Sequence, residues 1–328
     1  MTVRRRAALG LAAAGLSAPA LGQAPWPQAQ PIRLIVPFAP GGTTDIIARI
    51  LAGEMSRRLG QSVVVENRPG AGATLGTGQA ARAAPDGYTL VLSVISAMVV
   101  GKILGGDRVP WDPDRDFAHV AMVMSTPYLI LVRPDLPIRT PADLLAEARR
   151  RRAEPFSYGT SGIGSMPHLV MLRFLAAAGG DVPMTHVPYR GGAQIVTDIA
   201  AGTLPIMVDS LTAASANIRS GALRPLAHTW PGRVPAFPDI PAFRELGFTD
   251  LVVDGWSGIA APARTPRPIV ERLAAVARES LEAPEVVRRY AETATAPGRF
   301  FLDDAQRFVR EELAVWTPIV RASGATMD

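Results

Sequence analysis

One stretch decides the fold of this chain: residues 32–49 read IRLIVPFAPGGTTDIIAR. Ile32–Val36 is a short run rich in β-branched residues, and the chain from Asp45 onward has the apolar spacing of a helix. The Pro- and Gly-rich segment between them predicts a turn that leads from a strand into a helix. Gly41 and Gly42 expose backbone amides, and a helix start presents unpaired N–H groups and the positive end of its dipole. The turn is therefore either an anion-binding site or an ordinary connection.

The first 24 residues have the pattern of a secretory signal peptide. Arg4–Arg6 form a charged start, Ala7–Leu16 is a short apolar stretch, and Ser17–Ala24 is rich in small residues. The apolar stretch is too short to span a bilayer, and no later segment reaches the roughly 18 apolar residues of a membrane helix. We therefore predict an exported protein, cut near Pro25, with no direct insertion into the membrane. The general export route is favoured, and the twin-arginine route stays the alternative.

Composition and charge exclude several classes of protein. The chain has 328 residues, 48% of them hydrophobic, which is enough for a large core and two lobes. Residues 1–24 hold three of the 34 basic residues and none of the 29 acidic ones, so cleavage lowers the net charge from +5 to +2. The densest basic cluster, Arg149–Arg152, is typical of a helix end, and we predict no binding to nucleic acid. With no cysteine there is neither a disulfide nor thiolate chemistry.

Strands alternate with helices along most of the chain, which is typical of parallel βαβ units. The first lobe takes strands at Ile32–Val36, Ser62–Glu66 and Thr89–Val94. The apolar run Val120–Val132 is interrupted at residues 125–127. We interpret it as one strand that leaves the first lobe and another that begins the second.

The second lobe repeats this alternation, and the apolar strand Leu251–Ala260 returns the chain to the first lobe. The sequence therefore predicts an α/β fold with two lobes, each a mostly parallel sheet flanked by helices, and two crossing strands at the hinge. The expected domains are residues 25–124 together with 254–328, and residues 125–253. A ligand site is expected in the cleft between the lobes.

A second loop mirrors the first: residues 158–168 read YGTSGIGSMPH and run from a predicted strand into a predicted helix. Its glycines and hydroxyls offer hydrogen-bond donors to an anion, as those of the opening loop do. Ser165 is placed either to cap the helix or to bind a ligand. His168 is either a site residue or a helix-face histidine bonded to the backbone.

Four further candidate residues follow predicted strands or lie within one. Tyr189 is suited to stack on a ligand or to bond it, and Arg190 pairs either with a ligand carboxylate or with Asp198. Asp209 ends a strand, where its carboxylate either holds a ligand ammonium group or caps the next helix. Trp256 lies in an apolar strand and belongs either to the hinge side of the cleft or to the core.

Patterns of enzymes and cofactors are incomplete in this sequence. Two glycine patterns, at residues 70–76 and 159–164, lack the spacing of a dinucleotide-binding loop. Lys102 is the sole lysine and is not followed by Ser or Thr, which excludes a lysine-containing phosphate loop. Neither Ser161 nor Ser257 has the flanking glycines of a nucleophile elbow, and the four histidines lack metal-ligand spacing. We therefore predict no catalytic residue, no cofactor and no metal.

Five motifs occur in order along the chain: VPFAPGGTTD at residues 36–45, ENRPGAG at 66–72, PDGY at 85–88, GIGSMPHL at 162–169 and VPYRG at 187–191. Together they resemble the Bug family, the periplasmic substrate-binding proteins of tripartite tricarboxylate transporters. The resemblance implies a two-lobed periplasmic binding protein of the type II-like fold that closes on a small carboxylate. In that family the carboxylate is held largely by backbone amides, hydroxyls and ordered waters of two facing loops.

Two departures from the family pattern leave the size of the ligand open. Thr160 stands where serine is common, and Ser257 follows Trp256 where the family often has an aromatic residue. The first change lies in one of the two facing loops. The second removes bulk near the hinge side of the cleft.

The resemblance implies a solute-binding protein of the periplasm that captures a carboxylate and delivers it to membrane transporter subunits. The expected ligand is a mono-, di- or tricarboxylate, an aromatic acid or an amino acid, and the expected state is a monomer. Two alternatives remain: an exported α/β hydrolase using Ser161 or Ser165 with His168, and a sensory receptor that presents its ligand to a membrane partner. The expected ligand-binding residues are Phe38, Ala39, Pro40, Gly41, Gly42, Thr43, Thr44, Asp45, Ser93, Thr160, Ser161, Gly162, Ser165, His168, Tyr189 and Asp209.

Overall fold

The computed structural model describes residues 25–322 and residue 325, so the predicted signal peptide at residues 1–24 lies outside the described part. Its strands are β1 (Ile32–Val36), β2 (Val63–Asn67), β3 (Thr89–Val94), β4 (Phe117–Val132), β5 (Phe156–Thr160), β6 (Met184–Pro188), β7 (Ile206–Ser210), β8 (Arg224–His228), β9 (Asp254–Pro262) and β10 (Ala296–Pro297). Its helices are α1 (Thr43–Leu59), α2 (Thr74–Ala81), α3 (Lys102–Gly105), α4 (Pro141–Arg150), α5 (Met166–Ala177), α6 (Gly192–Ala200), α7 (Leu211–Arg219), α8 (Arg267–Leu281), α9 (Pro284–Glu292) and α10 (Asp303–Ala322). A π-helix at Ser96–Gly101 follows β3.

The strands form a curled sheet in the order β2-β1-β3-β9-β4-β7-β5-β6, with β8 and β10 both paired to β4. The outer strands of each lobe are parallel: β2, β1 and β3 in the first lobe, and β7, β5 and β6 in the second. The pairs that involve β4 and β9 are antiparallel and join the lobes. The predicted α/β fold with two lobes and two crossing strands is confirmed.

One strand, β4, runs through both lobes. Its first part pairs with β9, from Phe117 opposite Pro262 to Pro127 opposite Asp254. Its last part, Tyr128–Val132, pairs with β7 and β8 instead. The prediction of two strands separated at residues 125–127 is therefore wrong. Proline has no N–H to give to a ladder, and Pro127 is tolerated because it lies where β4 changes partners.

The second crossing lies beside the first. The Asp254 carboxylate, at the start of β9, accepts hydrogen bonds from Ser125 Oγ at 2.6 Å and from Trp230 Nε1 at 3.0 Å. Ser125 belongs to β4, so this carboxylate ties the two crossing strands together. Burial raises the pKa of Asp254, and its hydrogen bonds act in the opposite direction.

Helices cover both faces of the sheet and bury its apolar side chains. All six residues of β3 are buried, as expected for a strand covered on both faces. In the first lobe, Leu34 shares a buried cluster with Leu51 of α1 and Leu273 of α8. In the second lobe, Met207 of β7 shares one with Ile195 of α6. Among the helices of the described residues, none combines the length and apolar character that crossing a membrane requires.

Candidate ligand-binding site

A small cleft, part of it open to solvent, lies between the two lobes. It is at the carboxyl ends of β1, β3, β5 and β7, which is where ligands bind in open parallel sheets. Both lobes and the crossing strands contribute to its lining. The lining residues are Phe38, Ala39, Gly42, Thr43, Thr44, Val94, Ile95, Ser96, Met124, Thr126, Tyr128, Ser161, Pro167, Gly191, Gly192, Asp209, Ser210, Gly255, Trp256 and Ser257.

Four helices begin at this cleft. Gly42–Thr44 start α1, Pro167 lies in the first turn of α5, Gly191 and Gly192 start α6, and Ser210 is the N-cap of α7. The N-cap residues of α1 and α6 make no side-chain capping bond, which leaves first-turn N–H groups for a ligand. At the start of α5 the Met166 N–H donates to Ser96 Oγ, and Pro167 has no N–H. Among the described residues that line the cleft there is no Lys, Arg or His. The cleft therefore offers the partial positive charge of helix starts, which suits a small anion.

The opening loop is held in shape from behind by Asp45. Its buried carboxylate accepts hydrogen bonds from the Gly41 N–H, Arg49 Nε and Asn67 Nδ2, each at 3.0 Å. Burial disfavours the charged carboxylate, but these hydrogen bonds and the Arg49 charge outweigh it and lower the pKa of Asp45. Asn67 also donates to the Phe38 carbonyl at 3.0 Å. Asp45 therefore positions the loop and is not part of the cleft lining.

The second loop turns most of its polar groups toward its own backbone. Thr160 Oγ1 bonds His186 Nε2 at 2.7 Å, and Ser165 Oγ donates to the Gly162 carbonyl at 2.7 Å. His168 Nδ1 accepts from the Gly164 N–H at 3.2 Å, and its ring stacks on His186 with ring centres 4.0 Å apart.

Burial lowers the pKa of His168 to about 4, and the neighbouring His186 acts in the same direction. Burial also lowers the pKa of His186 to about 4. Both rings are therefore neutral at pH 7. Ser161 and Pro167 are the residues of this loop that line the cleft.

Tyr189 and Arg190 lie beside the cleft and do not line it. The Tyr189 hydroxyl donates to Asp198 at 2.5 Å, and burial together with this carboxylate raises the pKa of Tyr189 to about 12. Asp198 therefore pairs with Tyr189, and within the described residues Arg190 makes no ion pair and is exposed. Both residues line a wider cavity, which adjoins the cleft at Phe38 and Ser161.

Asp209 brings a carboxyl group into the cleft at the end of β7. It accepts a hydrogen bond from the Ser210 N–H at 2.7 Å. The cap of α7 is Ser210, whose hydroxyl accepts from the Ala213 N–H at 3.2 Å. Burial raises the pKa of Asp209 to about 6, although the hydrogen bond from Ser210 acts to lower it.

The remaining expected residues lie beside the cleft or behind it. Pro40 is exposed, Gly41 borders a side cavity shared with Asp209, and Gly162 borders the wider cavity. Ser93 is buried in β3, and its hydroxyl has no hydrogen-bond partner among the described residues.

Several lining residues were not expected from the sequence. Thr126 lines the cleft from the interrupted part of β4, and Tyr128 lines it because β4 continues past residues 125–127. Ser96 lines it from the π-helix, an irregular element that is frequent at functional sites. Ser210 directly follows Asp209 at the end of a strand. This position is the feature of the sequence from which Ser210 could have been predicted as a lining residue. The further unexpected lining residues are Val94, Ile95, Met124, Pro167, Gly191, Gly192 and Gly255.

Several contacts join the lobes across the cleft. The hydroxyls of Thr43 and Ser210 are hydrogen-bonded to each other. The Met166 N–H donates to Ser96 Oγ at 3.4 Å. A methyl group placed on Gly191 would lie 3.2 Å from the Ala39 methyl carbon, so the backbones also approach closely. The cleft is thus enclosed by direct contacts between its two walls.

Residues 47–325 match the family described as tripartite tricarboxylate transporter family receptor. The chain belongs to this receptor family. The receptor is 34% identical over 317 residues to Protein BugT of Bordetella pertussis, covering 97% of this chain and 96% of BugT. The resemblance inferred from the five motifs is confirmed.

Solved structures of similar proteins show the same fold. The receptor superposes on R. palustris Rpa4515 with adipate at a TM-score of 0.86 and 32% identity, covering 92% of this chain and 99% of that one. It superposes on MatC of Rhodopseudomonas palustris with bound malate at a TM-score of 0.81 and 28% identity, covering 89% and 99% of the two chains. Both of those structures hold a dicarboxylate.

Proposed function

We propose that this receptor binds a small carboxylate in the cleft and delivers it to the membrane subunits of a tripartite tricarboxylate transporter. One observation carries the proposal: the starts of α1, α5, α6 and α7 meet at a cleft whose lining has no cationic side chain in the described residues. First-turn N–H groups and helix dipoles stabilise an anion without a counter-charge. The adipate and malate seen in similar structures support a carboxylate as that anion.

In this proposal the ligand contacts come from both lobes. Gly42, Thr43 and Thr44 supply amides and hydroxyls from the first lobe, and Ser161 and Ser210 supply hydroxyls from the second. A bound carboxylate would therefore stabilise the enclosed form relative to an open one, which is a ligand-driven shift in population. We assign residues 25–124 with 254–328 to one moving lobe and residues 125–253 to the other.

We propose a binding function without catalysis. The hydrolase alternative needs Ser161 or Ser165 activated by His168. Ser165 Oγ instead donates to the Gly162 carbonyl, and the His168 ring accepts from the Gly164 N–H and stacks on His186. In these contacts the Ser165 hydroxyl and the His168 ring are bonded to other groups and not to each other.

A thermal-shift screen tests the function directly. The chain starting at Pro25 keeps every described element, and we expect its Tm to rise with at least one mono-, di- or tricarboxylate. Ser161→Ala should weaken the binding of that ligand, whereas Ser220→Ala, at the far end of α7, should leave it unchanged. If no carboxylate raises Tm, the proposal is wrong. Turnover of ester or amide substrates that Ser165→Ala abolishes would instead establish a hydrolase.

We place the receptor in the periplasm as a monomer. The family is one of transporter receptors, and residues 1–24 have the signal-peptide pattern. Cell fractionation tests the location, and the amino-terminal residue of the exported protein tests the predicted cut before Pro25. Sedimentation of the exported protein with and without ligand tests the monomeric state.

A further inference from the structure

The cleft carries a single full charge. Of the described residues that line it, Asp209 alone has an ionisable acid, and none has a basic side chain. The helix starts provide partial positive charge suited to one carboxylate. A negative charge on Asp209 in the same cleft therefore needs a positively charged partner that the lining does not contain.

The described residues do not supply that partner. The Asp209 carboxyl accepts one hydrogen bond, from the Ser210 N–H, and within the described chain it forms no ion pair. Its Oδ2 lies 2.5 Å from the position that a methyl group on Gly192 would occupy, so the missing side chain of Gly192 makes room for it. Because Ser210 already caps α7, Asp209 is not needed as the cap.

A second polar group of the cleft also has no partner among the described residues. The Tyr128 hydroxyl makes no hydrogen bond with the described residues, and it reaches to within 2.7 Å of where a side chain on Gly255 would begin. Burial and the nearby Asp209 and Asp254 raise the pKa of Tyr128, so its hydroxyl is neutral at any ordinary pH. Met124 and Trp256 complete the lining on the side of the crossing strands.

We propose that Asp209 binds a protonated amine of the ligand, so that the receptor prefers a carboxylate that also carries an amine over a dicarboxylate. This inference rests on the proposed function and narrows it to a class of substrate. The helix starts hold the ligand carboxylate, and Asp209 neutralises the ammonium group. A dicarboxylate would place its second negative charge in a cleft that already contains Asp209 and lacks a cation.

The two ligand classes should respond to pH in opposite ways. Burial raises the pKa of Asp209 to about 6. A bound ammonium group requires the ionised carboxylate, so its affinity should fall as pH is lowered from 7.5 to 5, whereas that of a dicarboxylate should rise. On the elements around Asp209, Asp45 of α1 is paired with Arg49, Asp198 of α6 is bonded to Tyr189, and Tyr128 of β4 stays neutral. On α7 the charged residue is Arg219, bonded to the Glu292 carbonyl.

Matched ligands test the proposal by calorimetry. The probes are 5-aminovalerate against valerate and glutarate, and alanine against propionate. We expect an amine-bearing member to bind at least 10-fold more tightly than its partner that lacks the amine. Asp209→Asn should remove that preference, and Asp198→Asn, which changes a carboxylate outside the cleft, should keep it.

Each other outcome contradicts the inference in a distinct way. Tighter binding of glutarate, unchanged by Asp209→Asn, overturns the role of Asp209 but leaves the carboxylate receptor intact. Absence of binding by every acid tested overturns the proposed function itself. If Asp209→Asn does not fold, the pH dependence of the wild-type chain decides, because parallel pH responses of amine-bearing and dicarboxylate ligands refute the proposal.

Discussion

The hydroxyl of Thr43, at the start of α1, is hydrogen-bonded to the hydroxyl of Ser210, the N-cap of α7. The two residues belong to opposite lobes, and both line the cleft. The contact therefore exists only while the lobes are together. Any ligand that favours this arrangement gains from the bond, and any change that removes the bond should reduce apparent affinity.

We expect Thr43→Val to weaken ligand binding by about 1 kcal/mol, which is roughly 5-fold in Kd, because one hydrogen bond of the enclosed form is lost. The free energy of unfolding should change little, since Thr43 does not cap its helix. Calorimetry with Thr43→Val, Ser210→Ala and the double variant measures the coupling between the two hydroxyls. Strictly additive effects on affinity would show that the contact plays no part in binding.

Gly191 offers a change that separates stability from affinity. Serine at this N-cap should maintain or raise the stability of α6, because serine is a better cap than glycine. Its Cβ would lie 3.2 Å from the Ala39 methyl carbon, so the lobes would meet less closely. We expect Gly191→Ser to weaken ligand binding by roughly 10-fold without lowering Tm. Gly232→Ser, at a position with open space around it, is the matched control.

Arg190 is exposed and lines the wider cavity beside the cleft. We expect Arg190→Gln to slow ligand association by roughly 2- to 5-fold at low salt, with little change in dissociation, because its charge acts before binding. Stopped-flow fluorescence at two salt concentrations measures this. Arg244→Gln removes an equal charge from another exposed position of the second lobe. An equal loss in both variants would exclude a specific role for Arg190.

The stacked histidines predict a loss of stability in acid. Burial holds the pKa values of His168 and His186 at about 4, below the ordinary 6.5, so the unfolded chain takes up protons that the folded chain does not. The free energy of unfolding should therefore fall as pH decreases from about 6.5 to 4.

Urea denaturation at pH 7 and pH 5 measures this loss. His168→Gln should make the decrease smaller, although His119 and His228, whose pKa values burial also lowers to about 4, keep part of it. Titration of His168 near pH 6.5, followed by NMR in the folded protein, would contradict the prediction.

The sequence predicts the repeated units of the fold well, because they depend on local patterns. Adjacent residues contain the β-branched run of β1, the glycine turn and the helical spacing of α1. The structure has this strand at Ile32–Val36 and this helix at Thr43–Leu59. The continuity of β4 was missed for a physical reason. A proline interrupts a strand only where a neighbouring strand needs the backbone N–H that proline lacks. Whether Pro127 does so depends on the strands that pair with β4, which lie far away in the sequence.

The sequence predicts only part of the site, because some of its features depend on local sequence and others on contacts between distant residues. Glycines and hydroxyls at helix starts identify Gly42, Thr43 and Thr44 from local sequence, and these residues line the cleft. The direction in which a hydroxyl points is not local. Thr160 faces His186 of the neighbouring strand, and Tyr128 reaches the cleft because of the register of β4 with β7.

The path of β4 and β9 sets the order in which this protein can assemble. The sheet of the second lobe uses strands between residues 128 and 228, so it is complete while the rest of the chain is still to come. The first sheet, although it begins at residue 32, needs β9 at residues 254–262 before β3 and β4 are joined. If the chain crosses a membrane with its amino terminus leading, most of it must therefore have crossed before β3 can pair with β9.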